Sequence, residues 1–372
     1  MNMPVFTLPR RIYYQRDIID NLGDILRNEK SKNVLIITDR NIMSIHGKRL
    51  ESSLMNFNFK FFDDVKPEPS IESIEKAVDE INMLDIDTII GIGGGSVLDF
   101  AKSVAIKLSH PDKDLRDVNP FEPIDLKLKL IAIPTTSGTG SDVSFGIVLT
   151  DVDRKLALGN YELVPYISIL DSSLTPTNPE IIRSTGIDAF VHAFEALSAN
   201  TSTIFTDALA EKAIEIIYKN LGKAMRNDED AKDLIHLSAT MAGIAFSNSG
   251  TALAHALGHS FGATFHVVHG TSVGLFLPYV IEFNSSDEYT RSKYEKVARI
   301  LDTGDIIDKI KEFYDSIGQP YRVKDLNIPK NEYIKMIDEL ISKSLQDSEL
   351  AFNPVVVGEE DLRNIYLRAY GD

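Results

Sequence analysis

Hydrophobic positions follow two different rhythms along this chain. In the first half, short continuous apolar runs alternate with stretches of helical spacing. Asn33–Thr38 (NVLIIT), Ile86–Ile92 (IDTIIGI) and Leu130–Ile133 are apolar runs of strand length. Ile71–Met83 instead repeats at Ile71, Ile74, Val78 and Ile81, one face of a helix, and Asp99–Leu108 also reads as a helix. Phe145–Thr150 and Lys155–Leu158 predict a strand pair around the turn DVDR, and Tyr166–Leu170 predicts a last strand. Strands alternating with helices imply an α/β domain with a mostly parallel sheet covered on both faces.

After Asp171 the texture changes. The segment SSLTPTNPE carries two prolines and ends in Asn178-Pro179-Glu180, which reads as an N-cap followed by proline in the first helical position. Beyond it run long helical patterns, such as Ile204–Met225 and Glu332–Leu345, with almost no β-rich segment. The expected organisation is an α/β domain over residues 1–177 and an all-α domain over 178–372. A length of 372 residues agrees, since it exceeds what one hydrophobic core usually supports.

Charge and composition narrow the function. The net charge is −16 and no long Lys/Arg tract occurs, which argues against a general nucleic-acid or anionic-membrane surface. There is no cysteine, so any metal must be held by nitrogen and oxygen. No 18-residue apolar run exists and the N-terminal stretch lacks a signal-type apolar core, so a cytoplasmic protein is expected.

Candidate chemistry concentrates between Gly186 and Gly270. Asp188 and His192 stand four residues apart, as do His255 and His259, and His269 follows. Each gap of four is one helical turn and puts its pair on one helix face. Only eight histidines occur in the chain, and four of them are in this set. Three imidazole nitrogens and one carboxylate oxygen make a first shell for a divalent cation. One histidine is then surplus; spacing does not say whether His255 or His259 ligates, and the other is a candidate for proton transfer.

Two loops in the first half suit a nucleotide. Gly93-Gly94-Gly95-Ser96 lies between a buried strand and a helix, where glycines let the backbone approach an anion and helix N–H groups point at it. It is neither a GxGxxG fingerprint nor a P-loop. Pro134–Asp142 packs five hydroxyls and two glycines after the third strand, a suitable wall for a polar ligand. Asp39 closes the first strand, where it can take a ribose hydroxyl and repel a 2′-phosphate, or cap the next helix.

Together, GGGSVLDFAK, PTTSGTGSDVS, GIDAFVHAFEALSA and AHALGHSFGATFHVVHG resemble, in order, the motifs of the iron-dependent (group III) alcohol dehydrogenases. The resemblance spans nearly the whole chain. It implies a Rossmann-like α/β domain of the dehydroquinate synthase type, a helical metal-binding domain, and an active site in the cleft between them. Asp188, His192, His255 and His269 match the metal ligands, and His259 the unliganded histidine that aids proton transfer. Gly93, Gly94, Gly95, Ser96 and Asp99 match the pyrophosphate turn, Thr135, Thr136 and Thr139 the second cofactor loop, and Lys155 a lysine that reaches the cofactor. Asp39 falls where many NAD-preferring members carry aspartate, so NAD is expected over NADP. Glu68, Asp142 and Val268 depart from the usual asparagine, glutamate and proline of the family pattern.

The expected activity is hydride transfer between NAD and a small primary alcohol or diol, with a metal polarising the substrate oxygen. Fe(II) is implied by the resemblance, and Zn(II) fits the same residues. Phe145, Phe246 and Phe265 are candidate walls of the substrate pocket. A homodimer or larger homo-oligomer is implied, with Phe6–Tyr14 as a dimer element. A polyol, glycerol or hydroxy-acid dehydrogenase is the nearest alternative; a metal hydrolase or an NAD-binding sensor would use only part of these features.

Overall fold

The apolar runs of the first half become a six-stranded sheet in which every neighbouring pair is parallel. The computed structural model describes residues 5–81, 85–152 and 154–371 and separates into two units, 1–176 and 177–372. The strands of the first unit are β1 (Arg11–Tyr14), β2 (Asn33–Ile37), β3 (Asn58–Phe62), β4 (Thr88–Gly93), β5 (Lys129–Pro134), β6 (Gly146–Asp151), β7 (Arg154–Gly159) and β8 (Ile167–Leu170). The sheet order is β1-β8-β5-β4-β2-β3, and β6 and β7 form a separate antiparallel hairpin. Asp153 of the DVDR turn, and Met83 at the end of the expected third helix, lie outside the described residues.

Alternation along the buried strands explains why both faces must be covered. Leu35, Ile37, Ile89 and Leu130 belong to one core cluster, and Val34, Ile36, Ile90, Ile92, Ile131 and Ile133 to the other. Helices α1 (Leu22–Asn28) and α2 (Arg40–Leu54) contribute to the second cluster, and α3 (Ile71–Glu80) and α4 (Gly95–Ser109) to the first. Each fully buried Ile or Leu contributes on the order of 1.5–3 kcal/mol. Helix α4 starts four residues before the expected Asp99, because the glycine run itself supplies the first turn. Strand β3 (NFKFF) escapes the periodicity reading because, at the sheet edge, none of its residues is fully buried.

The order places a switch point at the centre. From β2 the chain moves outward to β3, then returns to the other side of β2 as β4. Loops leaving the carboxyl ends of β2 and β4 therefore diverge, which is where open α/β sheets bind ligands.

A buried polar knot holds the loop after β5 to the hairpin. Lys102 of α4 is 1% exposed, and its Nζ donates to Ser141 Oγ (3.0 Å), Ser144 O (2.9 Å) and Gly146 O (2.8 Å). Asp99 accepts from Ser141 Oγ (2.6 Å) and from Val148 N–H (3.0 Å). Burial lowers the Lys102 ammonium to a pKa of about 8, opposed by the charges of Asp99 and Asp142.

The second unit is helical: α5 (Pro179–Ser198), α6 (Ile204–Ala224), α7 (Glu229–Ser249), α8 (Leu253–Phe265), α9 (His269–Asn284), α10 (Glu288–Ile300), α11 (Ile306–Ile317), α12 (Lys330–Leu345) and α13 (Glu359–Ala369). Asn178 accepts from Glu180 N–H at 2.9 Å and Pro179 opens α5, as Asn-Pro-Glu predicts. Nearly every residue of α5 from Gly186 onward is buried, and α5 packs on α6, α7 and α9. Among the described residues no helix is long and apolar enough to cross a membrane.

Replacing Lys102 by Met would leave Asp99 buried without its cation. We expect Lys102→Met to destabilise the protein by about 3–5 kcal/mol in chemical denaturation; a loss below about 1 kcal/mol would show that the knot is not held by charge.

Candidate metal centre and nucleotide loops

Three helices bring the cation-ligating set together. Asp188 and His192 lie one turn apart on α5, His255 lies on α8, and His269 is the first residue of α9. The start of α9 presses so closely on α5 that a Cβ at Gly270 would sit 1.9 Å from Ser184 O, so only glycine admits this approach.

Asp188 Oδ1 is the focus. His269 Nε2 lies 3.1 Å from it, His255 Nε2 3.7 Å and His192 Nε2 3.9 Å. The ligand atoms of Asp188, His255 and His269 all lie within 4.8 Å of one another, with the His192 ring stacked on His255 at a centroid distance of 4.6 Å. Asp188 Oδ1 and His255 Nε2 are buried and make no hydrogen bond. Burial works against charge on Asp188, yet the imidazoles of His192, His269 and His255 hold it well below the usual carboxylate range.

These distances fit a shared ion. A tetrahedral cation with bonds of about 2.0–2.2 Å spaces its ligand atoms roughly 3.3–3.6 Å apart. Without an ion, a buried carboxylate oxygen and a buried imidazole nitrogen left unbonded each carry a desolvation cost of about 1–3 kcal/mol. The donors are nitrogen and oxygen only, suiting Fe(II) or Zn(II). The His269 side chain is 46% exposed, so the set is open on one side.

His259 occupies a different place. Its Nδ1 bonds Asp347 Oδ2 at 2.8 Å, its ring stacks on His269 with centroids 5.3 Å apart, and its side chain is 39% exposed. Burial opposes the charged ring, but the Asp347 hydrogen bond and the Glu349 charge outweigh it and raise the pKa. Asp347, just before a short 3-10 helix (Ser348–Phe352), was beyond sequence reasoning, being 88 residues from His259. Glu195 was also missed, although it follows His192 by three residues on the same face of α5; it lies 2.5 Å from His255 Nδ1.

Of the three aromatic candidates, one adjoins this centre. Phe246 stacks on His192 with centroids 4.3 Å apart. Phe265 instead packs on Phe261 and Tyr333 in the helical core, and Phe145 on Tyr161 in the first unit, filling space left by Gly159. Both are packing residues, since aromatic surface is the largest apolar area a core can bury. His266 ends α8 in a left-handed conformation and is exposed.

In the first unit the loops meet at the switch point. Asp39 follows β2 and caps α2, its Oδ1 accepting from Ile42 N–H at 2.9 Å. Gly93 ends β4 in register with Pro134 of β5, and Thr135 N–H donates to Gly93 O at 2.9 Å. Gly94 is the N-cap of α4 and offers no side-chain cap to the first amides of the helix. A Cβ on Gly95 would come within 3.0 Å of Thr139, and one on Gly94 within 3.5 Å of Thr136, so the second loop lies against the glycine turn. Ser96 Oγ accepts from Glu68 N–H at 3.3 Å.

Two residues of the cofactor set have protein partners of their own. Each Asp99 oxygen accepts one protein hydrogen bond, from Ser141 Oγ and Val148 N–H, so Asp99 braces the loop. Lys155 Nζ pairs with Glu68 Oε1 at 2.7 Å, both side chains being exposed. Asp142 accepts from Ser168 Oγ at 2.7 Å in a buried setting.

Comparison with known proteins agrees with this anatomy. The pattern described as iron-containing alcohol dehydrogenase matches residues 9–172, and that of the Fe-containing alcohol dehydrogenase family, C-terminal, matches 182–370. An alcohol dehydrogenase of Thermococcus barophilus is 36% identical over the full length of both chains. An NADPH-dependent butanol dehydrogenase of Clostridium saccharobutylicum is 32% identical, covering 98% of this chain and 97% of that one. The solved structure of an iron-containing alcohol dehydrogenase from Thermococcus thioreducens superposes with a TM-score of 0.92 at 32% identity, over 99% of this chain and 100% of that one. The chain belongs to the iron-containing alcohol dehydrogenase family and is an oxidoreductase acting on alcohols.

Proposed function

We propose that this enzyme interconverts small primary alcohols or diols and their aldehydes with NAD, using Fe(II) or Zn(II) held by Asp188, His192, His255 and His269. The observation that carries the proposal is Asp188 Oδ1, buried without a hydrogen bond among three imidazole nitrogens. Membership of the family leaves no room for the hydrolase or sensor alternatives.

When bound, the cation supplies Lewis acidity toward the substrate oxygen, and the nicotinamide gives or takes the hydride. The residues of the chain do the rest. Phe246 shields one side of His192 from water. His259, oriented through Nδ1 by Asp347, turns its Nε2 to the proton that the substrate oxygen gains or loses. In the first unit, the open amides after Gly94 and the hydroxyls of Ser96, Thr136 and Thr139 fit a pyrophosphate. Asp39 has one carboxylate oxygen beyond its cap for a ribose hydroxyl, and its charge disfavours a 2′-phosphate; this supports NAD, although the Clostridium relative is named for NADPH.

Chelator-stripped enzyme should lose aldehyde-dependent oxidation of NADH and regain it with Fe(II) or Zn(II), and NADPH should serve less well. Undiminished turnover in protein shown to contain no metal would contradict the proposal.

Proton competition gives a second check. Burial opposes charge on His255, but the carboxylates of Glu195 and Asp188 hold its pKa well above the usual histidine value in the metal-free protein. Below that pKa an incoming ion must displace a proton, so affinity rises with pH as the ring becomes neutral. Co(II) titrations at about pH 6 and about pH 8 should show tighter binding at the higher pH; equal affinities would remove His255 from the ligand set.

His259→Ala should lower aldehyde reduction by about 10²- to 10⁴-fold with metal content unchanged; loss of metal would make His259 a ligand instead. Asp347→Asn removes the group that raises His259. Reduction needs the protonated ring and fails as pH rises through its pKa, so this variant should move the alkaline fall in kcat/KM to lower pH.

A further inference from the structure

Glu195 is one of the most buried charged groups in the second unit, at 1% exposure, and neither hydride nor proton transfer as described above uses it. It stands seven residues after Asp188 and three after His192 on α5, so all three share a face. Its carboxylate reaches α8. Oε2 accepts from Ala252 N–H at 3.0 Å and lies 2.5 Å from His255 Nδ1, while Oε1 accepts from Ala254 N–H. Helix α8 has no side-chain cap from its own N-cap residue, Ala252, and Glu195 takes that place from a different helix.

The bond to His255 has a chemical consequence. An ionised carboxylate only accepts hydrogen bonds, so Nδ1 must carry the proton. In the neutral ring the lone pair is then on Nε2, the atom that lies 3.7 Å from Asp188 Oδ1 and makes no hydrogen bond. The opposite tautomer would turn an N–H toward the ion. Charge points the same way: Asp188 and Glu195 are two buried carboxylates, and together they balance one divalent cation.

We propose that Glu195 is a positioning residue that sets the ion affinity of this enzyme by locking His255 in the tautomer with Nε2 free. The inference rests on the cation reading above. A role confined to capping α8 would need only acceptors for Ala252 and Ala254, one on each carboxylate oxygen. Glutamine keeps a single acceptor: with it on Ala254 N–H, the NH₂ faces Ala252 N–H and His255 Nδ1–H, donor against donor, and the ring is driven toward the wrong tautomer; with it in the place of Oε2, the bond to His255 survives without its charge.

The test is Co(II) or Zn(II) titration of full-length, chelator-stripped wild type and Glu195→Gln, with far-UV circular dichroism and NADH binding as controls for folding. We expect the variant to bind the ion about 10- to 100-fold more weakly with both controls unchanged. Affinity within about twofold of wild type would overturn the inference while leaving the cation reading intact. Wild type that takes up no ion would overturn both. Should Glu195→Gln fail to fold, ¹⁵N-histidine NMR of the zinc-loaded wild type decides: His255 must carry its proton on Nδ1 and zinc on Nε2, and the reverse arrangement would overturn the inference.

Discussion

A carboxylate with almost no access to water and three imidazoles around it dictates most of what the helical unit must be. Asp188 is 3% exposed, and its Oδ1 has nitrogens at 3.1, 3.7 and 3.9 Å but no hydrogen bond. Such an atom is tolerable only if positive charge meets it. Meeting it requires α5, α8 and α9 to converge at one point. The sequence pays for that convergence with glycine at position 270 and with a helix, α5, that between Gly186 and Leu197 is apolar apart from Asp188, His192 and Glu195. The apolar packing around α5 thus serves to keep a polar cluster dry, which strengthens each electrostatic interaction within it.

The first unit solves a different problem with the same means. An anion-binding turn must leave backbone amides unsatisfied in the absence of ligand, and flexible loops would collapse onto them. Here Lys102 and Asp99, buried in α4, bind the loop after β5 and the β6–β7 hairpin through Ser141, Ser144, Gly146 and Val148. The glycine turn therefore stands beside a fixed wall. Glu68, whose backbone is left-handed and whose side chain pairs with Lys155, borders the same turn at Ser96. That pairing partly neutralises a lysine expected to meet the cofactor, a feature particular to this chain's glutamate.

The sequence showed the cation-ligating candidates more plainly than the carboxylates that hold their rings. Spacing of four residues and the scarcity of histidine drew Asp188, His192, His255, His259 and His269 together as candidates, since helical geometry translates directly into shared faces. Spacing left His255 and His259 equivalent and only the family resemblance separated them; in the structure one ring turns Nε2 to Asp188, the other turns Nδ1 to Asp347. Glu195 was within reach, because Asp188, His192 and Glu195 fall at helical intervals of four and three, and a glutamate on the buried face of an apolar helix demands a partner. Asp347 gave no local sign, since its partner is distant in sequence and its own neighbourhood reads as a turn. Phe145 and Phe265 pack on Tyr161 and Tyr333, contacts that spacing along the chain does not reveal. Among the elements, the buried central strands were plain from composition, while edge strand β3 was hidden by its mixed burial.

One ion shared by Asp188 and the three histidines underlies the chemistry of the helical unit. X-ray absorption at the metal edge of reloaded wild-type protein examines that shell directly. The predicted spectrum has nitrogen and oxygen ligands at about 2.0–2.2 Å, multiple scattering from three imidazoles, and no sulfur. A shell without imidazole scattering, from an ion bound elsewhere on the acidic surface, would contradict it.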